Sequence, residues 1–207
     1  MKKLTVSAVL VLLAGAATLQ AQKNKVSFGV RGGVNLANII KTDNSNYATE
    51  IKPGFNAAAF VDIPVVHGLT FQPELQFSQK GYKNSGSYLG NNYSYTTTTN
   101  FVEVPLLAKF SPSPGFGIVV GPQFSFLTST VYKFKDNNSA YQKVIDNKNN
   151  NLRNNIVGGV IGLEAGLDKL IFSARYSLDF QKNNGDGTSN TPKYRNQVVG
   201  LSVGVRL

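Results

Sequence analysis

The sequence predicts an all-β fold, an eight-stranded antiparallel up-and-down transmembrane β-barrel. Three observations predict it. Eight segments of roughly ten to fourteen residues alternate apolar and polar side chains, the period of a strand. The connections between them alternate between short and long. The polar face of the eight segments carries as many acidic as basic groups. Composition points the same way. Charged residues make up only 15% of the 207, against ~25% in soluble domains. The 20 glycines and 11% aromatic residues suit strands and turns better than helices.

The first segment stands apart from the fold. Met1-Lys2-Lys3 is basic, residues 4–19 are almost entirely apolar or small, and Gln20-Ala21-Gln22 offers a small residue at a cleavage point. This is the pattern of a secretory signal peptide. The apolar run is shorter than the ~20 residues a spanning helix needs. Residues 1–21 are therefore read as a signal peptide cleaved after Ala21, and residues 22–207 as one barrel domain. No later run is long enough for a spanning helix.

The strands follow in order. Residues 26–39 place Val26, Phe28, Val30, Val34 and Leu36 on one face and Arg31 and Asn35 on the other. Residues 54–63 set Phe55, Ala57, Ala59, Val61 and Ile63 against Asn56 and Asp62. Residues 69–82 set Leu69, Phe71, Leu75 and Phe77 against Glu74, Gln76, Ser78 and Lys80. Residues 100–110 set Val102, Val104, Leu106 and Phe110 against Glu103 and Lys109. Residues 116–127 set Phe116, Ile118, Val120, Phe124 and Phe126 against Gln123 and Ser125. Residues 156–167 carry Glu164, residues 170–180 carry Arg175 and Asp179, and residues 197–207 carry Arg206, each opposite an apolar row. These lengths match the ~9–11 residues of a membrane strand and exceed the ~5–6 of a soluble one. Pro73, Pro105 and Pro122 interrupt the pattern and are read as bulges or local breaks, because proline cannot donate to the ladder.

The short connections are 64–68, 111–115 and 168–169; the long ones are 40–53, 83–99, 128–155 and 181–196. Short turns at one end and long loops at the other mark an outer-membrane barrel. With an even number of strands, both termini fall on the short-turn, periplasmic side, and the long loops face outside the cell. Residues 139–153 form a candidate short helix in the third long loop.

In water the charged face would lie outside; in lipid it lies inside. The charges decide between the two. Arg31, Lys80, Lys109, Arg175 and Arg206 stand against Asp62, Glu74, Glu103, Glu164 and Asp179, five against five. A solvated surface has no reason to balance, whereas a cramped interior does, because an unpaired buried charge is costly. These ten are expected to form a structural ion network in the lumen. Counted from the short turns, Asp62, Lys109, Glu164 and Arg206 fall low, Arg31, Glu74, Glu103 and Arg175 at mid-height, and Lys80 and Asp179 high, each level neutral. Tyr82, Tyr176, Phe110, Phe116 and Phe180 lie near strand ends, where an aromatic girdle belongs.

Gly29–Ile39 (GVRGGVNLANI), Pro53–Ile63 (PGFNAAAFVDI), Leu69–Tyr82 (LTFQPELQFSQKGY), Phe101–Phe110 (FVEVPLLAKF) and Gly117–Leu127 (GIVVGPQFSFL) resemble the PorT-like outer-membrane β-barrel family of Gram-negative bacteria. The resemblance implies an eight-stranded barrel resident in the outer membrane. It implies no assigned activity.

Little in the chain points to catalysis. Cysteine is absent and His67 is the one histidine, which removes thiolate chemistry and most histidine-based metal sites. His67 lies in a short turn and is read as an exposed turn residue. Glu74 and Glu103 fit an ion network better than an acid–base pair. Residues 184–187 (NGDG) lack the spaced acidic ligands of a calcium loop, and the glycines of residues 158–162 are not followed by a helix that would complete a phosphate cradle. Neither a cofactor nor a metal is expected. The net charge of +10 comes with no stripe or motif for nucleic acid. The long loops carry an excess of basic residues, among them Lys133, Lys135, Lys143 and Lys148. Those four are candidate contacts for the anionic phosphates of lipopolysaccharide. The expected role is a non-enzymatic barrel with a structural or adhesive function, or one accessory to an envelope or secretion complex. Its expected partners are outer-membrane lipid, the barrel-insertion machinery and another envelope protein. A narrow solute channel and a secreted soluble ligand-binding barrel are the alternatives.

Overall fold

The computed structural model describes residues 26–42, 49–88, 91–136, 140–145, 152–183 and 193–207. The expected signal peptide, the segment 184–187 and Lys148 lie outside the described residues. Nine strands are present: β1 Ser27–Lys41, β2 Lys52–Val66, β3 Leu69–Tyr88, β4 Asn91–Ser113, β5 Phe116–Lys135, β6 Ala140–Ile145, β7 Asn155–Leu167, β8 Leu170–Asp179 and β9 Tyr194–Arg206. Eight of them form the ring β1-β2-β3-β4-β5-β7-β8-β9, every pair antiparallel. The ring closes where β1 meets β9, from Gly29↔Arg206 to Lys41↔Tyr194. Closure leaves no unpaired edge inside the ring, the condition a sheet must meet to sit in lipid.

The alternation in sequence becomes alternation in burial. In β1 the residues Phe28, Val30, Val34 and Leu36 are exposed while Arg31, Asn35, Ala37 and Ile39 are buried. In β2 Phe55 is 49% exposed and Asn56 is 5% exposed. Across the ring, Leu75, Phe124, Ile161, Leu163, Leu201 and Val203 point outward. The outside is apolar and the inside is polar, the reverse of a water-soluble barrel. An apolar ligand has no apolar interior to enter, which removes the physical basis of the soluble ligand-binding alternative.

Three short turns, at residues 67–68, 114–115 and 168–169, share one end with the two ends of the ring at β1 and β9. Gly68 and Gly115 have φ values of 77° and 76°, the left-handed region a tight turn demands. At the other end the strands overrun the ring. Residues 83–88 and 91–99 of the expected loop are instead strand, paired antiparallel from Lys83↔Thr96 up to Tyr88↔Asn91. The run Thr96-Thr97-Thr98-Thr99 is β-branched and favours strand even beyond the barrel.

Residues 140–145 correct a second expectation. They form strand β6, paired with Thr130–Lys135 of β5, and not a helix. β5 pairs with β7 only as far as Phe126↔Asn155, while its pairing with β4 continues to Ser94↔Lys135. One edge of the overrunning β5 therefore lacks a barrel neighbour, and its backbone groups take β6 as their partner.

Pro73, Pro105 and Pro122 break the ladders without shifting them. Pairing of β3 with β4 stops after Pro73↔Leu106 and resumes at Gln76↔Glu103 in the same register. Pairing of β4 with β5 stops after Pro105↔Gln123 and resumes at Ala108↔Val120. The register shifts fall at Pro64/Val66, at Asn100/Phe101 and at Phe110/Ser113, the last spanning Pro112. Tyr82 is also not in the outer girdle. It shares parity with Lys80, faces inward and is 7% exposed. Phe110, Phe116, Tyr176 and Phe180 do face outward.

Gly33 sits on the closing seam, where a Cβ would run into the backbone carbonyl of Leu201. At Gly32 the nearest atom to a Cβ would be the Asn56 carbonyl oxygen at 3.7 Å. Gly33→Ala is expected to lower the thermal midpoint of the detergent-solubilised barrel, and Gly32→Ala to leave it within about 0.5 kcal/mol of the parent. Equal effects of the two substitutions would contradict the seam geometry.

Candidate functional site

The described interior of the ring is a chain of ion pairs. It is built by inward parity: each charge stands on a strand position whose neighbours along the chain face lipid. Glu74 of β3 is the centre. Its carboxylate accepts four guanidinium hydrogen bonds. Arg31 Nη1 donates to Oε1 at 2.8 Å, and Arg31 Nη2 donates to Oε2 over a very short contact. Arg175 Nη1 donates to Oε2 at 2.9 Å and Arg175 Nη2 to Oε1 at 3.0 Å. Two opposed forks on one carboxylate are the strongest arrangement such groups have.

From there the network runs toward the short turns. Arg175 Nη2 also donates to Glu164 Oε1 at 2.5 Å. Lys109 Nζ lies 3.6 Å from Glu164 Oε2 and donates to Asp62 Oδ1 at 2.5 Å. Arg206 closes it at the rim, donating to Asp62 Oδ2 at 3.0 Å. Gln72 Nε2 adds a neutral donor to Asp62 at 2.9 Å.

Toward the long hairpins a second group forms. Lys80 Nζ lies 2.8 Å from both Glu103 Oε1 and Asp179 Oδ1. The two carboxylates outnumber the one cation, and neutral donors make up the difference. Gln123 Nε2 and Ser125 Oγ donate to Glu103 at 2.9 and 2.8 Å, and Asn196 Nδ2 donates to Asp179 at 2.7 Å. Gln76 joins the two groups: its Nε2 donates to Glu103 at 3.0 Å and its Oε1 accepts from Arg31 at 3.4 Å.

All ten predicted charges thus meet inside the ring, but not at the predicted levels. Glu103 belongs with Lys80 and Asp179, so that group is net negative and the group around Glu74 is net positive. Neutrality holds for the ten together. Eight of the ten are buried; Arg175 and Arg206 are half-buried, Arg206 because it stands at the rim. Strand parity placed Gln72, Gln76 and Gln123 on the charged face, but sequence reasoning did not assign them to the network as neutral donors, and it missed Asn196, which lies before the last segment as the sequence was read.

Beside the two charged groups lies a polar layer, with Ser78 between Gln76 and Lys80 along β3. Asn56 Nδ2 donates to Asn35 Oδ1 at 2.7 Å, Asn35 to Ser78 Oγ at 3.0 Å, and Ser202 Oγ to Asn56 Oδ1 at 2.9 Å. It borders a cavity of about 20 Å³ that Arg31, Arg175 and Gln76 also line, room for about one water. At the mouth, Ile39, Tyr82 and Tyr194 form an apolar cluster. The Tyr82 and Tyr194 rings meet edge to face at 5.4 Å, and Tyr95 stacks on Tyr132 at 5.9 Å. Burial, with Tyr95 and Tyr82 nearby, pushes the Tyr132 hydroxyl up to about 12. Outside the rim Glu50 accepts from Lys83 Nζ at 3.0 Å; that bond, a second from Ser85, and the lysine charge hold its carboxyl below the usual range.

The remaining candidates lie apart. His67 is exposed in the turn after β2. Glu74 and Glu103 belong to different groups, each saturated with donors. Gly158 and Gly159 sit in β7, where their missing side chains admit the Leu178 carbonyl at 2.5 Å and the Phe180 ring at 2.7 Å from a would-be Cβ. Lys133 and Lys135 are exposed on β5 beyond the rim; of Lys143 only the backbone, in β6, is described. Among the described residues no group of three or more His, Cys, Asp or Glu side chains could hold a metal.

An apolar outer belt around a closed, charge-compensated interior defines a β-barrel that resides in a membrane. The chain belongs to the family described as outer membrane protein beta-barrel domain, whose model matches residues 20–185. Membership places it in the outer membrane. No curated protein matches the sequence at a significant level. Among solved structures it is similar to Neisserial surface protein A (12% identity, TM-score 0.49, covering 89% of this chain and 100% of that one). It is also similar to Ail of Yersinia pestis, solved with the heparin analogue sucrose octasulfate (10%, 0.48, 89% and 100%), and to the N-terminal β-barrel domain of Pseudomonas aeruginosa OprF (11%, 0.39, 88% and 100%).

Removing Glu74 would strand Arg31 and Arg175 against each other in the interior. Glu74→Ala is expected to destabilise the barrel by about 3–5 kcal/mol. Glu74→Gln, which keeps an acceptor oxygen, is expected to cost less. Thermal unfolding followed by circular dichroism in micelles, or by the heat-dependent shift of the folded band on a gel, measures both. A Glu74→Ala barrel as stable as the parent would remove Glu74 from the centre of the network.

Proposed function

We propose that this chain is a non-enzymatic outer-membrane barrel that presents the β3–β4 hairpin and the β5–β6 extension outside the cell and does not conduct. The observation that carries this reading is the closed ion network, which fills the interior from Arg206 at the rim to Asp179. An eight-stranded ring is only wide enough for side chains to fill, and here the side chains that fill it are mutually bound. Its work is then done by what stands above the membrane: a structural or adhesive role, or accessory contact with another envelope or secretion complex. The PorT-like branch of the family is the one its motifs resemble. Residues 1–21 act as the export signal, cleaved after Ala21, and the barrel-insertion machinery receives residues 22–207. Both barrel ends and the three short turns then face the periplasm.

The reading also assigns a lipid contact. Lys133 and Lys135 are exposed above the rim, the height of lipopolysaccharide phosphates, and Lys143 and Lys148 belong to the same stretch of chain. Near-surface basic residues contribute ~1 kcal/mol each in comparable fields. Association with lipopolysaccharide is expected to weaken with salt, and to fall when all four lysines are neutralised.

A cysteine at Asn92 is expected to react with an impermeant maleimide on whole cells, and one at His67 only after the envelope is opened. The opposite pattern would invert the orientation. In a planar bilayer the purified protein is expected to pass no steady current; stable open-channel currents would replace this reading with the solute channel.

A further inference from the structure

Above the ring, β3, β4 and β5 run on with β6 as one sheet, and its two faces differ. The registers Asn84↔Tyr95, Tyr95↔Phe134 and Phe134↔Tyr141 set one row of side chains on the face of inward parity, and Gly86↔Tyr93 begins the next row. That face is aromatic. The residues between them, Ser85, Ser94, Thr96 and Lys135, give the other face a polar character. Most of the rings are occupied by one another: Tyr95 stacks on Tyr132, and Tyr82 meets Tyr194 edge to face. Tyr93 has no ring partner among the described residues and is 39% exposed. The end of its ring that carries the hydroxyl rests over β3 because position 86 is glycine; a Cβ there would run into the ring. The glycine fixes where the ring lies, and the exposed remainder is presented to its surroundings.

That ring lines a cleft of about 450 Å³ together with Ser85, Asn92, Ser94, Lys135 and Asp136. The cleft lies at a step in the sheet. β5 ends at Lys135, opposite Ser94, while β3 and β4 run on to Tyr88↔Asn91. Its volume falls within the ~300–1,000 Å³ of small-ligand sites. The lining selects among ligands. None of the described residues that form it is aliphatic, so an apolar ligand has little to pack on. The ammonium of Lys135 and the carboxylate of Asp136 are opposite in sign, so neither an anion nor a cation is favoured. What remains is an aromatic ring ringed by an amide, two hydroxyls and one group of each charge, a platform with donors and acceptors around it. A pyranose has the matching surface: its C–H face packs on an aromatic ring, and its hydroxyls both donate and accept. We propose that this cleft binds an uncharged saccharide, with Tyr93 as its platform. The proposal rests on the reading that the hairpin stands outside the cell, and it gives that surface a ligand. It differs from the lipopolysaccharide phosphate contact in owing nothing to net charge.

The test uses the purified full-length barrel in nanodiscs, since maltoside detergents carry sugars of their own. The probes are methyl β-glucoside, methyl β-galactoside, lactose and diacetylchitobiose, with N-acetylneuraminic acid as the charged comparison, read by saturation-transfer difference NMR. A neutral probe is expected to bind, with transfer strongest at the C–H protons of one sugar face and an affinity indifferent to salt. Tyr93→Ala is expected to weaken that binding about tenfold, whereas Tyr93→Phe, which keeps the ring, retains it. Gly86→Ala, which displaces the ring, is expected to weaken it while the folded band on a gel is kept. Tyr141→Ala, on the same face but outside the cleft, is expected to leave it unchanged. Competition by O-polysaccharide freed of lipid A assigns the sugars of the cell's own surface; a probe that stays bound in its presence assigns another glycan. Binding of no neutral probe, binding of the charged sugar alone, or an unchanged affinity in Tyr93→Ala overturns the proposal. Binding by the purified barrel does not depend on how it stands in the membrane. A probe held by the purified barrel but not by whole cells therefore supports the cleft and overturns the outward orientation, so the two readings fail separately.

Discussion

The carboxylate of Glu74, gripped by Arg31 from β1 and Arg175 from β8, ties three strands together across the interior. The rest of the lumen is arranged around that constraint. An interior this narrow holds no bulk water to solvate a charge, so each charge must be matched by another or by a neutral donor. Arg175 leads to Glu164, Glu164 to Lys109, Lys109 to Asp62, and Asp62 to Arg206 at the rim. Gln76 carries the network across to Glu103, Lys80 and Asp179. Such a network adds little stability over an apolar filling of the same shape, but in lipid an apolar filling would leave the two faces of each strand alike. The charges mark which face turns inward.

The same constraint explains where the barrel ends. Below the rim, every strand has a neighbour on both sides. Above it, β3, β4 and β5 continue as a hairpin and its extension, where water satisfies the outer groups and β6 covers the exposed edge of β5. The chain thus separates two tasks by height. The ring solves the problem of lipid, and the overrunning strands extend beyond it with polar residues.

Much of this was legible in the residues. The eight ring strands, their alternation, the three short turns and the ten inward charges follow from period two and from counting acids against bases. The hairpin was not legible, because Asn, Ser, Thr and Tyr from residue 83 to 99 read as a solvated loop, and a solvated strand pair has the same composition. Nor was β6, since a helical pattern in residues 139–153 competes with an open edge on β5 that exists only once β5 is longer than β7. Tyr82 shows how parity outranks composition: an aromatic residue near a strand end suits a girdle, but two residues after Lys80 it must face the lumen.

The sequence by itself determined the face each side chain would take, because a strand alternates whatever surrounds it, and it determined that acids and bases inside would balance. Which acid met which base was decided only by the tertiary structure. Glu103 leaves the Arg31 and Arg175 level for Lys80 because the β3–β4 register sets it opposite Gln76, nearer the hairpins than Glu74, and no count along a single strand contains that register.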